Sequence, residues 1–216
     1  MIRIVIADDH AIVREGLARL IASSADFELA GQASNGSEVI ARVRELDFDV
    51  LVLDMSMPGR SGIELIKMVK SEKPKLRVLV LSMHQEEQYA VRAIKAGASG
   101  YIMKDTATEQ LINAIRKVAA GGAVISPAAA ELFALAATRD GDGPPHKSLS
   151  DREFQVFEML ARGQSVSDIA RQLNLSVKTV STHKSRIMEK MNLANHTELI
   201  RYAISQHLID DPEAPA

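Results

Sequence analysis

The stretch DFDVLVLDMSMPGRSG, Asp47 to Gly62, decides the fold. Its apolar run, Val50 to Leu53, stops abruptly at Asp54. A short apolar run bounded by turn signals reads as a strand buried on both faces. Pro58, Gly59 and Gly62 break the chain before helical spacing resumes at Ile63, Leu65 and Ile66. Asp54 therefore ends a central strand and faces a loop. In open α/β sheets ligands bind in the crevice outside the carboxyl ends of the strands. A lone aspartate there can equally well cap the next turn.

Asp8 and Asp9 make the difference. They follow a second apolar run, Ile2, Ile4, Val5, Ile6 and Ala7, which also reads as a buried parallel strand. If the two strands are neighbours, Asp8, Asp9 and Asp54 converge. Like charges packed together repel and raise one another's pKa unless a cation intervenes. Mg²⁺ is the economical solution, a hard octahedral ion held by carboxylates, waters and phosphate oxygens. Lys104 ends a third run, Tyr101 to Met103, and can meet a phosphoryl oxygen. Ser82 ends a fourth, Val78 to Leu81, and offers a hydroxyl.

Asp8-Asp9, Asp54-Met-x-Met-Pro-Gly59, Ser82 and Gly100-Tyr-x-x-Lys104 together resemble a two-component receiver domain over residues 1–121. The resemblance implies that Asp54 accepts phosphate from the phosphohistidine of a sensor histidine kinase. It implies Mg²⁺ ligation by Asp9, Asp54 and the backbone carbonyl of Ser56, with Asp8 acting through a water. Lys104 is then the partner of the phosphoryl group. Ser82 and Tyr101 are the switch pair, Tyr101 turning from exposed to buried, and Met83 and His84 tune the phosphate lifetime. Such a receiver catalyses its own phosphoryl transfer and dephosphorylation and is not a metabolic enzyme.

The 216 residues suggest one large or two small domains. With no cysteine, disulfides and thiolate metal sites are excluded. No run approaches a membrane span, and the chain opens on a strand, so neither a membrane partner nor a signal peptide is expected, and the reading is cytoplasmic. Net charge is −2, but residues 147–209 carry nine basic against six acidic side chains.

Across residues 1–121 short apolar runs alternate with helical patterns five times. The expected class is α/β, a flavodoxin-like, doubly wound, five-stranded parallel sheet with Phe27 to Ala33 at an edge. Residues 122–148 read as a linker. It holds an alanine-rich helix from Ser126-Pro127 to about Thr138 and a flexible hinge, RDGDGPPHK, from Arg139 to Lys147. The helix is expected to dock on one of the two domains.

Residues 149–211 read as an all-α, four-helix module. Ser150 with Glu153, Ser165 with Asp168 and Asn195 with Glu198 read as capping boxes, and Ser176 as a plain N-cap. A short helix through Ile169 and Ala170, a turn at Asn174, and a longer helix from Val177 to Met191 make a helix-turn-helix. Val180, Ile187 and Met191 line its inner side. Lys178, Thr179, Ser181, Thr182, Lys184, Ser185 and Arg186 give a small, basic face suited to the major groove and its phosphates. Leu149-Ser150, Arg152-Glu153, Gly163, Ile169-Ala170, Leu173, Thr179-Val180, His183 and Lys190 resemble the LuxR-type DNA-binding domain, with His196 where that family usually shows Arg. Ser181, Thr182 and Ser185 are expected nearest the bases, and Lys178, Thr179, Lys184 and Arg186 near phosphates.

Together the two resemblances imply a response regulator of the FixJ/NarL type. Its expected partners are promoter DNA, a sensor histidine kinase, a second copy of the chain on phosphorylation, and RNA polymerase. The last helix, with Leu199, Ile200, Tyr202, Ala203 and Ile204, has more apolar residues than one face needs; part of that surface can form a dimer contact on DNA, and core packing is the equal alternative. Two other classes compete. A haloacid-dehalogenase-like phosphohydrolase needs a second aspartate two residues after the nucleophile, where Ser56 stands. A helical module that binds protein stays open at this level.

Overall fold

A computed structural model of the chain describes residues 1–57, 62–83, 87–138, 144–206 and 208–209. The Pro58-Gly59 turn, His84 and the hinge from Arg139 to Gly143 lie outside the described residues. The chain divides into two compact units, Met1–Asp140 and Gly141–Ala216.

In the first unit, β1 (Ile2–Ala7), β2 (Phe27–Ala33), β3 (Val50–Asp54), β4 (Arg77–Ser82) and β5 (Gly100–Met103) form one parallel sheet in the order β2-β1-β3-β4-β5. Six helices accompany it: α1 (Ala11–Ala22), α2 (Gly36–Glu45), α3 (Gly62–Glu72), α4 (Glu87–Lys95), α5 (Thr108–Ala119) and α6 (Pro127–Thr138). Every residue of β3 is buried, which is why its run is apolar without alternation. At the edge, β2 leaves Glu28 and Gln32 in solvent. Ile4, Ile6, Val50, Val52, Leu79 and Leu81 pack against Ile21 of α1 and against Leu111, Ala114, Ile115 and Val118 of α5. Adjacent registry pairs Ala7 with Leu53, so Asp8 and Asp54 leave neighbouring strands at the same end of the sheet.

The first stretch of the expected linker belongs to this unit. Val124 forms a parallel bridge to Gly100; the Tyr101 N–H donates to the Val124 carbonyl at 2.7 Å, and the Val124 N–H to that of Ser99 at 3.1 Å. Beyond it, α6 docks on α4.

The second unit opens with a 3₁₀ turn, Pro145–Ser148, followed by α7 (Asp151–Ala161), α8 (Val166–Gln172), α9 (Val177–Met191) and α10 (His196–Ser205). The turn differs from the flexible hinge expected through Lys147. His146 is 0% exposed, its Nδ1 lies 2.7 Å from the Tyr202 hydroxyl, and its ring packs against Phe154. A buried aromatic anchor outweighs the local Pro and charge content.

The caps also differ in part from expectation. Ser150 and Glu153 form the full reciprocal box. Ser165 and Asn195 accept from the amides of Asp168 and Glu198, but the acids do not return to the N-cap amide. Asp168 instead accepts from the Ser165 hydroxyl, and Glu198 reaches one residue further to the Ala194 N–H. The three helix ends before α8, α9 and α10 are closed by left-handed residues, Gly163, Asn174 and Asn192. In each the next amide reaches back five residues: Gln164 to Met159, Leu175 to Ala170, and Leu193 to Met188.

A Cβ on Gly100 would stand 2.9 Å from Leu79 Cδ1 and 3.0 Å from the Val124 Cβ and carbonyl oxygen. Gly100→Ala should therefore lower the unfolding free energy by about 1–3 kcal/mol, with the loss read from denaturant midpoints and an unchanged slope.

Candidate functional site

Asp8, Asp9 and Asp54 converge as the strand order demands. Asp8 and Asp54 are buried, the latter 1% exposed, while Asp9 is partly exposed. Lys104 Nζ reaches between them, 2.7 Å from Asp8 Oδ2 and 2.9 Å from Asp54 Oδ2. The first contact is a hydrogen bond. The second is close but misaligned, an ion pair without hydrogen-bond geometry. The lysine is aimed by its own backbone, because the Lys104 N–H donates to the Ser82 carbonyl at 2.8 Å and prolongs the β4–β5 ladder into the pocket.

Asp8 is held on every side. Its amide donates to Ala33, its carboxylate accepts the His10 N–H at 2.8 Å, and Arg14 donates to its carbonyl at 2.7 Å. Asp54 Oδ1 accepts the Ser56 N–H at 3.0 Å. Burial pushes the Asp54 carboxyl above its ordinary pKa, against the opposing pull of the Ser56 amide and Lys104. Burial alone would lower the Lys104 ammonium, but Asp8 and Asp54 outweigh it and raise its pKa.

The pocket thus sets three carboxylates against one lysine, and Asp9 Oδ1 is buried with no hydrogen-bond partner among the described residues. That donor set fits a hard divalent cation. Ser56 engages Asp54 through its amide.

Ser82 is fully buried beside this pocket. Tyr101 differs from expectation: it is already buried, 8% exposed, rather than turned outward. It lines a cavity of about 470 Å³ together with Ala90, Val124 and Ser126. The backbone bridge to Val124 brings that segment alongside Tyr101, and nothing in the sequence announced it.

On the second unit, Val180, Ile187 and Met191 of α9 are buried. Lys178, Ser181, Thr182, Ser185 and Arg186 are exposed on other sides of the helix. The Thr182 hydroxyl donates to the Lys178 carbonyl and that of Ser185 to the Ser181 carbonyl, leaving the oxygen lone pairs outward as acceptors. Two expected members sit differently. Thr179 is half-buried, its hydroxyl 2.7 Å from that of the N-cap Ser176. Lys184 is half-buried toward α10, near enough to His196 that, after burial, it lowers the histidine's pKa. Helical spacing explains the displacement, since position 184 lies one turn after Val180 and beside the inner stripe.

Residues 4–116 match the family described as response regulator receiver domain, and residues 147–203 the bacterial regulatory proteins of the luxR family. The chain belongs to the response regulators. This response regulator is 37% identical over 215 residues to the oxygen regulatory protein NreC of Staphylococcus carnosus, covering 96% of this chain and 99% of that one. It is 36% identical to the response regulator GacA of Pseudomonas aeruginosa, covering 97% and 99%. Among solved structures it is similar to the RcsB response regulator of Salmonella typhimurium, with a TM-score of 0.69, 29% identity, and 94% and 97% of the chains covered. RcsB bound to promoter rprA with phosphomimetic BeF3⁻ matches at a TM-score of 0.64 and 30% identity, over 95% and 100%.

Sequence reasoning passed over two residues of these sites. His10 directly follows the acidic pair and lies against it, 3.0 Å from Asp9 Oδ1; its position in an Asp-Asp-His run was the available signal. Val177, 50% exposed at the start of α9, adds an apolar group to the polar face.

A Cβ on Gly62 would meet Met55 Sδ at 2.6 Å and Met55 Cα at 3.1 Å. Met55 adjoins Asp54, so Gly62→Ala must shift the residue that orients the pocket. The variant should fold, judged by circular dichroism, yet accept phosphate from acetyl phosphate about tenfold more slowly.

Proposed function

We propose that this response regulator is a phosphorylation-controlled transcription regulator in which Asp54 takes a phosphoryl group from a sensor histidine kinase. One observation carries the reading: the Lys104 ammonium spans Asp8 and a buried, strand-end Asp54 in a chain that also holds a helix-turn-helix. Asp54 Oδ2 attacks the phosphorus as the P–N bond to the kinase histidine breaks and the imidazole leaves with the bonding pair, while Ser56 N–H holds Oδ1 and fixes the carboxylate plane. Lys104 then moves its charge onto a phosphoryl oxygen. Asp9 and Asp54, with Asp8 through a water and the Ser56 carbonyl, would hold Mg²⁺. Bound there, the ion supplies charge neutralisation for the transferring phosphoryl group. Ser82 donates its hydroxyl to the same group. Because Tyr101 is already inward, the switch is a tightening of β5 around Ser82 and Lys104 rather than a swing of the ring.

The proposed boundaries are a receiver over 1–121, a connecting segment over 122–148, and a DNA-binding module over 149–211. Promoter DNA is the proposed target of α9, acting in the cytoplasm, with Ser181, Thr182 and Ser185 nearest the bases. Lys178 and Arg186 meet phosphates, Lys184 and Thr179 the flanking backbone. A single module makes a small interface, so two copies on two half-sites are proposed, joined on phosphorylation and in part through α10. RNA polymerase is a further proposed partner. The promoter complex of RcsB supports the DNA target.

With acetyl phosphate and Mg²⁺, the protein should gain an acid-labile phosphate that Asp54→Ala lacks; full labelling of that variant would overturn the assignment. Mg²⁺ alone should raise the thermal midpoint of the wild type but not of Asp9→Ala, since only a native-state site is stabilised by added ligand. For the module, Lys178→Ala should weaken specific and random DNA alike and lower the salt slope by roughly one. Thr182→Ala should instead change sequence preference. Equal shifts on both DNAs for both variants would undo the division of roles.

A further inference from the structure

The cavity that Tyr101 lines takes no part in the proposed phosphoryl transfer. It arises because the chain turns back after α5. Val124 bridges to Gly100, and residues 124–126 and the outer side of α5 then line one space of about 470 Å³. Ala90 and Ala114 also line it, with side chains too short to fill it. Small-molecule sites typically enclose about 300–1,000 Å³.

The lining is divided by chemistry. Ile102, Val124 and Ile125 are apolar. Thr106, Gln110 and Asn113 are polar, and their side chains make no hydrogen bond among the described residues. Lys117 is the one charged side chain lining the cavity among the described residues, and it forms no ion pair with any of them. Its stem is seated on Gly122, where a Cβ would stand 2.9 Å from Lys117 Cγ. Gln110, Asn113 and Lys117 recur at helical spacing along one face of α5. The outer two lie two turns apart, about 10 Å along the axis.

These features select a ligand class. One cation, with no carboxylate or imidazole among the lining residues described, makes neither a metal site nor a polyphosphate site. It suits a single carboxylate. Unspent amides two turns away suit a hydroxyl, and the apolar wall between suits a ring. We infer that the cavity binds an aromatic monocarboxylate about 10 Å long. Its carboxylate pairs with Lys117, its ring lies against Ile102, Val124 and Ile125, and a polar group at its far end meets Gln110 and Thr106. This site is separate from Asp54 and does not depend on the phosphoacceptor reading.

The probe is para-hydroxycinnamate, with the uncharged, isosteric para-hydroxycinnamamide as its control. The isotopically labelled full-length chain is titrated with each at neutral pH and followed by amide chemical shifts. The carboxylate should shift the amides of residues 100–103, 110–117 and 124–126 saturably. The amide should act on the same residues about tenfold more weakly. Lys117 is exposed, so Lys117→Gln leaves the core untouched. That variant should bind the carboxylate about tenfold more weakly than the wild type does and the amide unchanged. Gln110→Ala should weaken both. An absence of saturation overturns the inference, as does saturation centred on other residues. Equal affinity of wild type and Lys117→Gln for the carboxylate also overturns it. So does a shift of these same amides on dilution of the protein alone with no response to the carboxylate, which would mark the cavity as covered by a second copy of the chain.

Discussion

The ammonium of Lys104 is the fixed point of the receiver. Asp8 and Asp54 can be buried side by side only because one cation contacts both. Removing either partner from a buried pair of charges leaves the other uncompensated, at a cost of several kcal/mol. The lysine reaches that position only because β5 lies beside β4 and its backbone ladder runs on to Ser82. The sheet order therefore acts directly on the chemistry: β1 brings Asp8 and Asp9, and β3, β4 and β5 bring Asp54, Ser82 and Lys104, to the same carboxyl end of the sheet. Asp9 Oδ1 is left without a hydrogen-bond partner among the described residues.

The helical module solves a different problem, how to present one helix on a small core. Phe154, Phe157, Leu160, Val180, Ile187 and Leu199 are fully or nearly fully buried and carry the packing. Glu153 adds specificity. It caps α7 through the Ser150 N–H and takes the Lys190 ammonium at 2.6 Å from α9. Burial would raise its pKa, but Lys190 and the Ser150 amide outweigh that and lower it. A depressed folded pKa contributes stability that is present above the ordinary carboxylate range and lost as pH falls below it. The orientation of α9 on α7 is thus tied to a charge that stays ionised at neutral pH.

Much of this was legible before any coordinates. Buried parallel strands announce themselves by apolar runs, and Ile4 to Ala7 of β1, Val50 to Leu53 of β3 and Val78 to Leu81 of β4 have them. Strand-end acids after such runs put Asp8, Asp9 and Asp54 together, and serine caps with helical spacing found α7, α8 and α9. What stayed hidden depends on contacts between segments far apart in sequence. Val124 pairs with Gly100 through backbone groups, which leave no side-chain signature. His146 looks like hinge until Tyr202, 56 residues on, supplies its partner. Lys184 counts as a surface lysine by composition, yet its angular place on α9 turns it toward α10. Asn174 and Asn192 adopt left-handed conformations that glycine more commonly takes, so composition alone understates those turns.

The bridge at Val124 also bears on how the pocket can act at a distance. Lys104, Ser82 and Tyr101 share the β4–β5 ladder, and Tyr101 N–H is tied to the Val124 carbonyl. Just after Val124 the chain enters α6, which leads out of the receiver. A pull on Lys104 by a phosphoryl group is thus applied to a strand whose outer edge carries the exit segment. Position in between does not by itself amount to coupling; a change in coupling must be measured. Val124→Pro removes the amide that donates to Ser99 while leaving the pocket's side chains in place. It should take up acid-labile phosphate at the wild-type rate, yet gain less DNA affinity on phosphorylation, by about threefold or more. A full gain in a variant that remains folded would show that the signal leaves the receiver by another surface, and that the bridge only finishes the sheet.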